Sequence, residues 1–562
     1  MRVSPVSFSM VLVAWLSLGA FVQDPQQDPQ PKAPDRKTQD PKTGLGPGPG
    51  WRGPVRPSGR NEVFATGDGC AMCHSNAKNA LAMRTATSEE VSPHKLWQAS
   101  VMANSFLDPY WRAQVEKEMA ADPENAEDVQ ALCMRCHAPM VHHSRRIAGQ
   151  GPIAVADAAA DPRARDGVSC TVCHQIQAEG LGTEETFAGK PKIQRGRRIF
   201  GPYAEPVATP MQNMASYQPV HGAHVQSSAL CASCHTLHTE HAGVKFPEQT
   251  PYLEWRNSIF QDESGKTEQS RTCQECHMAD LGSMRIARNP GGRDFLIPVR
   301  DHFRAHSFVG GNAFLLDLLA ANKEALGVTA DVEALQRNAM ASRRLLANET
   351  VAMTIGEITR GEGALEFAVR VENLTGHKFP TGYPSRRAWL HVQVRDGNQV
   401  VFDSGGWTAD GHLANVADEL RQPHYTRVTD PSQVVIWEMV ANDEKGEPTM
   451  HLTHMATRGK DTRLLPKGWR RDGPHAEDTA PKGIGNDLDF TAGGDTVNFA
   501  IPLAKETGPV TVVAWVRYQP IPAHWVDSLR SVDMPACKTF VAMYDAASKT
   551  PDVAGVVARS ED

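Results

Sequence analysis

The residues best suited to chemistry form one pattern, Cys-x-x-Cys-His, which occurs five times between residues 70 and 277. Two thiols three residues apart can form thioether bonds to the two vinyl groups of one porphyrin. The histidine that follows can then bind the iron from the proximal side. Each copy is therefore a c-type haem attachment signal. The five copies are Cys70-Ala-Met-Cys73-His74, Cys133-Met-Arg-Cys136-His137, Cys170-Thr-Val-Cys173-His174, Cys231-Ala-Ser-Cys234-His235 and Cys273-Gln-Glu-Cys276-His277.

Ten of the 11 cysteines lie in these five motifs. Zinc ligation or disulfide pairing is the alternative for a single motif, and five intact copies that all end in histidine argue against it. We therefore predict five covalently bound haem c groups, with the motif histidines as proximal ligands. The eleventh cysteine, Cys537, lies outside the motifs. Such a residue can be a reactive thiol or an intermolecular link in an exported protein, but its mixed surroundings favour a buried, inert side chain.

The length of 562 residues predicts more than one domain, and a net charge of −7 gives no indication of nucleic-acid binding. Residues 1–22 have the features of a secretory signal peptide, with Arg2 before the apolar run from Met10 to Val22. That run is short for a membrane span, so an uncleaved anchor is the less favoured alternative and the only route to membrane association. We expect a periplasmic or otherwise exported protein.

The part of the chain that must position the motifs begins after a linker. Residues 23–60 are rich in Pro, Gln and Gly, which predicts disorder. Residues 61–348 hold all five motifs, and the protein around them is too small for an ordinary side-chain core, so we expect short helices and loops around the haems. Asp108-Pro109 and Asp122-Pro123 are helix-start signals, and the helix after the second should run into Cys133.

From about residue 350 the apolar residues alternate with polar or small ones, as in Leu365–Val371, Leu390–Val394 and Val510–Val516. Short strands with no helical pattern between them predict a β-sandwich domain over 349–545, followed by a frayed tail over 546–562. The predicted fold class is therefore α + β multidomain: a mainly helical and loop pentahaem cytochrome c domain followed by a β-sandwich domain.

The sixth iron ligands decide the function, because a haem that only transfers electrons usually has both axial positions filled. Isolated histidines are more often surface or structural residues than ligands, but here they are concentrated near the motifs. At most one of the adjacent pair His142 and His143 can serve as a ligand. The candidates in the haem region are His94, His142, His143, His221, His224, His302 and His306, with His238 and His241 either serving likewise or solvated.

His377 is a further candidate, because it lies in a Gly- and Pro-dense loop between two predicted strands, Gly376-His377-Lys-Phe-Pro380-Thr-Gly382. Such a loop can carry an imidazole out of the sandwich to a haem, which would join the two domains. The alternative is a turn with an exposed histidine.

Several segments resemble the multihaem cytochrome c-552/c-554 family, which is related to the electron-acceptor cytochromes of hydroxylamine oxidoreductase. They are CAMCH followed by LWQASVMANS, GVSCTVCH, HVQSSALCASCH, YLEWRNSIF with CQECHM, and HFRAHSFVGG, and they cover most of residues 65–310. The stretch NLTGHKFPTGYPSRRAWLHV is similar to the β-rich C-terminal extension of some such cytochromes. The resemblance implies an electron carrier.

One departure from the family concerns the segment after the first motif. The family carries Trp-x-x-Ser-x-His-Ala there, and its histidine is a distal ligand, whereas this chain reads Trp97-Gln-Ala-Ser100-Val-Met102-Ala103. A thioether is a competent haem ligand. The resemblance therefore implies a His/Met haem that uses Met102, with His94 as the rival ligand and apolar packing of Met102 as the alternative.

Three hypotheses for function follow. The first is electron transfer along closely packed haems between an unidentified redox donor and acceptor protein. The alternative is an oxidoreductase that acts on a small nitrogen or sulfur compound at one five-coordinate haem, for which the sequence identifies no catalytic residue. The third is docking by the β-sandwich. Its acidic loop 485–496 (GNDLDFTAGGDT) could bind calcium, but it lacks an ordered ligand spacing, and solvated turns are the default interpretation.

Overall fold

The computed structural model describes residues 59–241, 243–289, 297–361, 363–503 and 508–561. The signal peptide predicted over 1–22 and nearly all of the linker predicted over 23–60 lie outside these residues. The described chain is a mixed α and β fold. Within its ranges, no helix combines the length and the apolar composition that a membrane span requires.

The helices of the described chain are mostly short, and those before residue 280 surround the motifs. They are α1 (Asp68–His74), α2 (Pro93–Gln98), α3 (Pro109–Ala121), α4 (Ala126–His137), α5 (Pro139–Ile147), α6 (Val155–Ala158), α7 (Pro162–Arg165), α8 (Cys170–Cys173), α9 (Ala208–Ala215), α10 (Ser228–Ala232), α11 (Pro251–Arg256), α12 (Cys273–His277), α13 (Ala313–Ala321), α14 (Lys323–Leu326), α15 (Val332–Glu349), α16 (Ala476–Thr479), α17 (Ala523–Arg530) and α18 (Pro535–Ala546).

The strands fall mainly after residue 350, as the alternating pattern predicts. They are β1 (Arg198–Gly201), β2 (Gln218–His221), β3 (Leu237–His241), β4 (Val244–Gln249), β5 (Met284–Arg285), β6 (Val299–Arg300), β7 (Val351–Ile355), β8 (Thr359–Arg360), β9 (Ala364–Asn373), β10 (Arg387–Asp396), β11 (Gln399–Ser404), β12 (Arg427–Val428), β13 (Ile436–Trp437), β14 (Met439–Asn442), β15 (Pro448–Thr449), β16 (Thr457–Asp461), β17 (Gly494–Pro502), β18 (Val510–Gln519) and β19 (Asp552–Ser560).

Every motif begins on a short helix, and local sequence explains where several of these helices start. The carboxylate of Asp108 accepts hydrogen bonds from the backbone N–H groups of Tyr110 and Trp111 at the start of α3. Thr272 and Glu275 form a capping box at the start of α12. The prediction that a helix after Asp122-Pro123 runs into the second motif is confirmed, because α4 ends at His137.

The strands after residue 350, here called the β region, form a three-stranded sheet of order β15-β14-β16 and two five-stranded sheets. One five-stranded sheet has the strand order β11-β10-β18-β19 with β13 added to β10, and the other has the order β12-β17-β9-β7 with β8 added to β9. The inward residues of both five-stranded sheets form one hydrophobic cluster, which includes Val392 of β10, Val516 of β18 and Val369 of β9. This shared core is that of a sandwich.

The prediction of strands alone after residue 349 is wrong for the helices α17 and α18. Cys537, Phe540 and Tyr544 follow one another at three- and four-residue spacing and give α18 a buried face. That face packs on α3, where the thiol of Cys537 donates to the carbonyl oxygen of Ala113 at 3.2 Å. Cys537 is therefore buried, as its surroundings predict.

The frayed tail predicted over 546–562 is also corrected. Residues 552–560 form β19, which pairs with β18 along its length and buries Ala554. Because the C-terminal helices return to the haem region and share its hydrophobic core, the described residues all fall in one compact unit.

Candidate functional site

A single cavity of about 1580 Å³ is lined by all fifteen cysteines and histidines of the five motifs. The motifs lie far apart in sequence, so only the fold brings them to one space. The cavity walls come from the short helices before residue 280, from the segment between β6 and α13, and from the loop between β9 and β10. This arrangement leaves room for several macrocycles beside the side-chain core that α3, α13, α15 and α18 share.

The thiols of different motifs contact one another, and these contacts give the spatial order of the motifs. Hydrogen bonding to Cys70 raises the pKa of Cys170, so the first motif touches the third. Hydrogen bonding to Cys273 raises the pKa of Cys231, so the fourth motif touches the fifth.

The fourth motif has two further neighbours. Hydrogen bonding to Cys136 raises the pKa of Cys234, so it also touches the second motif. Burial, followed by the proximity of Cys234, raises the pKa of Cys173 to about 12, so the third motif is adjacent. The fourth motif is thus the branch point of a contiguous array.

Four of the five motif histidines use Nδ1 to donate a hydrogen bond to a backbone carbonyl oxygen. The Nδ1 atoms of His74, His137, His174 and His277 lie 3.0, 3.0, 2.7 and 2.7 Å from the oxygens of Ile286, Ser105, Phe200 and Val309. A bond of this kind fixes the tautomer and leaves Nε2 free for a metal. Burial lowers the pKa of the fifth, His235, to about 4, which also favours the neutral, ligating form.

Two distal candidates face a proximal histidine. The ring of His306 lies nearly parallel to that of His174 with 6.4 Å between ring centres, and His377 lies parallel to His277 at 6.3 Å. Metal–imidazole bonds of about 2.0–2.1 Å place the centres of two ligating rings ~6.3 Å apart. The two pairs therefore fit a six-coordinate haem iron between them. His306 and His377 also donate from Nδ1 to backbone carbonyls, of Arg304 and Lys378.

The loop that carries His377 is held by buried polar contacts. The side chain of Asn373 donates to the carbonyl oxygen of His377 at 2.8 Å, and the backbone N–H of Lys378 donates to Glu254 at 3.0 Å. The ammonium of Lys378 forms a fully buried ion pair with Asp461 at 2.7 Å. Breaking such a pair from one side typically costs ~3–5 kcal/mol, so the loop is strongly fixed.

Other sequence candidates are placed differently. His94 and Met102 line the cavity. His302 also borders it, but its side chain is 76% exposed and pairs with Asp280 at 2.8 Å. The Nε2 atom of His224 lies 2.8 Å from the carbonyl oxygen of Ile176.

Of the remaining histidine candidates, His142, His143, His221 and His238 lie outside the cavity lining. His221 is exposed and His238 pairs with Asp478. His143 is buried beside His142, and neither of its ring nitrogens has a hydrogen-bond partner among the described residues. The described residues bring no second imidazole parallel to His74, His137 or His235 at ligand spacing.

Four cavity-lining polar residues are missed by the sequence reasoning. Tyr110, Gln114 and Glu118 lie four residues apart on one face of α3, and Tyr383 comes from the loop after β9. Each has a buried side-chain atom without a well-formed hydrogen bond among the described residues. The four-residue spacing of polar groups on a helix that follows a haem segment is the signal that could have indicated them.

This polar cluster adjoins the second motif. Burial, followed by the nearby Glu248 and Glu118, raises the pKa of Cys133 to about 12. Glu248 is itself buried, and burial raises its pKa to about 7 against the opposing hydrogen bonds from Gln249 and Thr239. The ring of Trp111 stacks on His137 at 4.5 Å. The second motif thus has proton-donating groups beside it.

No family model matches this chain, and no curated protein matches it. Among solved structures, it is similar to a penta-heme cytochrome c552 from Thermochromatium tepidum. The TM-score is 0.49 and the identity 17%, over 89% of this chain and 100% of the other. Similarity at this level establishes neither a shared family nor a shared function.

Proposed function

We propose that the protein is an exported pentahaem c-type cytochrome that transfers electrons between two redox partners. The observation that carries the proposal is the contact between the five motifs around one cavity. Five haems attached there would lie next to one another, and an electron could pass from each to its neighbour.

The ten motif cysteines would hold the five haems through thioether bonds, and His74, His137, His174, His235 and His277 would be the proximal ligands. When bound, the haems supply one-electron redox chemistry. The distal side chains would determine which haem irons have a sixth ligand and which keep an open position. His306 and His377 would fill the sixth positions opposite His174 and His277, and Met102 or His94 is the candidate for the first haem.

The proposal includes export beyond the cytoplasmic membrane, because haem c is attached outside that membrane. In a cell that has a periplasm, the protein would be located there. The partners would be a donor and an acceptor redox protein, with no nucleic acid. Membrane association would require an uncleaved N-terminal segment.

The test uses the full chain expressed with a haem-attachment system. Intact mass and haem content should give five haems per chain, and spectra of the oxidised protein should show mainly low-spin iron. Reduction by a small donor should be followed by complete reoxidation through an acceptor protein. Fewer than five haems, or haems that cannot exchange electrons with one another, would contradict the proposal.

The second candidate function is an oxidoreductase that acts on a small nitrogen or sulfur compound at the haem of the second motif. It is favoured by the buried, unsatisfied polar atoms of Gln114, Glu118 and Tyr383 beside Cys133. Acids and phenols close to an iron with an open position could supply protons to a bound substrate. In a pure electron carrier, haem carboxylates would accept from the Gln114 amide and the Tyr383 hydroxyl.

Ligand binding separates these two cases. In the enzyme, one haem per chain should be high-spin and should bind cyanide, nitrite or hydroxylamine, and Tyr383→Phe should weaken that binding at unchanged haem content. Tyr425→Phe, a half-buried tyrosine of the sandwich, is the matched control. If no haem binds these molecules, the electron-carrier function stands alone.

A further inference from the structure

Three metal-ligating side chains converge in the β region, outside the haem cavity lining. His424 precedes β12, Asp487 lies in the loop that leads into β17, and Asp495 is the second residue of β17. One ligand atom from each lies within 4.8 Å of the others. Two of the three belong to the acidic loop 485–496, whose spacing matches no known calcium loop.

The contacts inside the cluster are close. The Nε2 atom of His424 lies 2.8 Å from Oδ2 of Asp487 and 3.8 Å from Oδ2 of Asp495. Trp437 donates its indole N–H to Oδ2 of Asp495 at 3.0 Å. The backbone N–H groups of Asp489 and Phe490 donate to Oδ1 of Asp487 at 3.0 and 3.1 Å. These bonds orient both carboxylates towards the imidazole.

The cluster is sealed from solvent and incompletely satisfied. The side chains of His424, Asp487 and Asp495 are 0, 1 and 0% exposed. Among the described residues, Oδ1 of Asp495 and Nδ1 of His424 have no hydrogen-bond partner. A buried polar atom without a partner is costly, so this carboxylate points to an additional ligand.

The charges lead to the same conclusion. Two ionised carboxylates and one imidazole carry a net negative charge even when the imidazole is protonated, and burial together with the charge of Asp487 raises the pKa of a third carboxyl group, Asp489. Arg370 interacts electrostatically with Asp489 and is itself bonded to Glu372 and Thr496. Uncompensated buried charge is strongly unfavourable, and a divalent cation would neutralise the pair.

We propose that His424, Asp487 and Asp495 bind one divalent first-row transition-metal ion, such as Zn²⁺ or Mn²⁺. An imidazole nitrogen with two carboxylate oxygens suits these ions, whereas Ca²⁺ takes six to eight oxygen ligands. Tetrahedral bonds of about 2.0–2.1 Å separate ligand atoms by ~3.3 Å, between the observed 2.8 and 3.8 Å.

The site is structural rather than catalytic, because no ligand side chain reaches solvent. It links the loop before β17 and the segment before β12 to the edge of the sheet formed by β12 and β17. It is independent of the haems, so its failure and the failure of the proposed electron-transfer function are separate results.

The test is metal analysis of the haem-loaded full chain, with iron corrected for haem content. One Zn²⁺ or Mn²⁺ per chain is expected in the wild type. Asp495→Asn and Asp487→Asn should lose it, because an amide oxygen is a weaker ligand of similar shape. Asp472→Asn, at a carboxylate that is 90% exposed in the same region, should retain it.

A second measurement needs no variant, so it holds even if the variants misfold. The wild-type protein is depleted with a chelator and then titrated with Zn²⁺, Mn²⁺ or Ca²⁺. One equivalent of Zn²⁺ or Mn²⁺ should bind, and the thermal midpoint should fall on depletion and recover on addition. No saturable uptake of either ion, uptake of Ca²⁺ alone, or full retention of the ion by Asp495→Asn would overturn the proposal.

Discussion

Replacing His377 by alanine tests whether a loop of the β region supplies a ligand to a haem of the other region. The ring of His377 lies parallel to His277 at an angle of 9°, with 6.3 Å between ring centres. Alanine removes the imidazole but leaves the backbone carbonyl that accepts from Asn373. The ion pair of Lys378 with Asp461 also remains, so the loop should keep its place.

The magnitude follows from the number of motifs. If each motif carries one haem, loss of one sixth ligand should convert about one fifth of the total haem to the high-spin form, and the other four haems should be unchanged. Free imidazole should enter the space left by the side chain and restore the low-spin spectrum. Electron paramagnetic resonance and visible spectra, at equal haem content, measure both changes.

The matched control is His302→Ala. His302 is also a distal candidate from sequence, but its side chain is exposed and paired with Asp280, so its removal should leave the spin state of every haem as in the wild type. The reasoning is refuted if His377→Ala has the same high-spin fraction as the wild type, or if His302→Ala produces the increase instead.

The remaining predictions concern stability and the other candidate ligands. Glu419→Ala leaves the buried Arg387 without its 2.6 Å partner and should lower the free energy of unfolding by ~3–5 kcal/mol in urea titrations, whereas Glu447→Ala, at an exposed ion pair, should change it by less than ~1 kcal/mol. Burial alone would raise the pKa of Glu419, but attraction to Arg387 and His524, together with the hydrogen bonds from His524 and the Leu413 N–H, outweighs burial and holds the pKa well below its usual value of 4.5. Stability from this pair is therefore complete above that value and lost as the pH falls below it, and Glu419→Gln should flatten the dependence of the urea midpoint on pH. Burial raises the pKa of Cys537 to about 11, so a thiol reagent should find no reactive thiol in the native haem-loaded protein and one after unfolding. Met102→Leu should abolish the thioether-to-iron absorption band; if the wild type has no such band, Met102 only packs.

Local sequence patterns were sufficient to predict the helices and strands whose formation depends on nearby residues, including those that carry the motifs. The Asp108 cap, the helix that ends at His137 and the alternation in Leu365–Val371 depend on contacts within a few residues, and each was predictable. The helix α18 was not predicted, because its apolar spacing is interrupted by polar residues. Its buried face is defined by α3, more than 400 positions earlier.

The distal iron ligands also could not be identified from local sequence patterns. His302 and His306 are four residues apart and were equally good candidates from sequence, yet one pairs with Asp280 at the surface and the other faces His174. The distinction depends on the backbone between them, which turns through a left-handed conformation at His302 with φ of 55°. No residue pattern in the sequence encodes that turn.

The spatial order of the motifs has a consequence for the proposed electron path that sequence order conceals. The fourth motif touches the second, is adjacent to the third and touches the fifth, while the first is reached through the third. In the proposed electron path, an electron that entered at a haem on the first motif would therefore pass those on the third and fourth motifs before it reached the second or the fifth. His377 would be the sixth ligand of the haem on the fifth motif. The second motif adjoins the polar cluster of Gln114, Glu118 and Tyr383, which has buried atoms without hydrogen-bond partners among the described residues. Under the two proposed functions, the branch at the fourth motif would lead to a six-coordinate haem at the fifth motif and to a haem beside proton-donating groups at the second. Ligand binding at the haem of the second motif is therefore the observation that separates the two proposed functions.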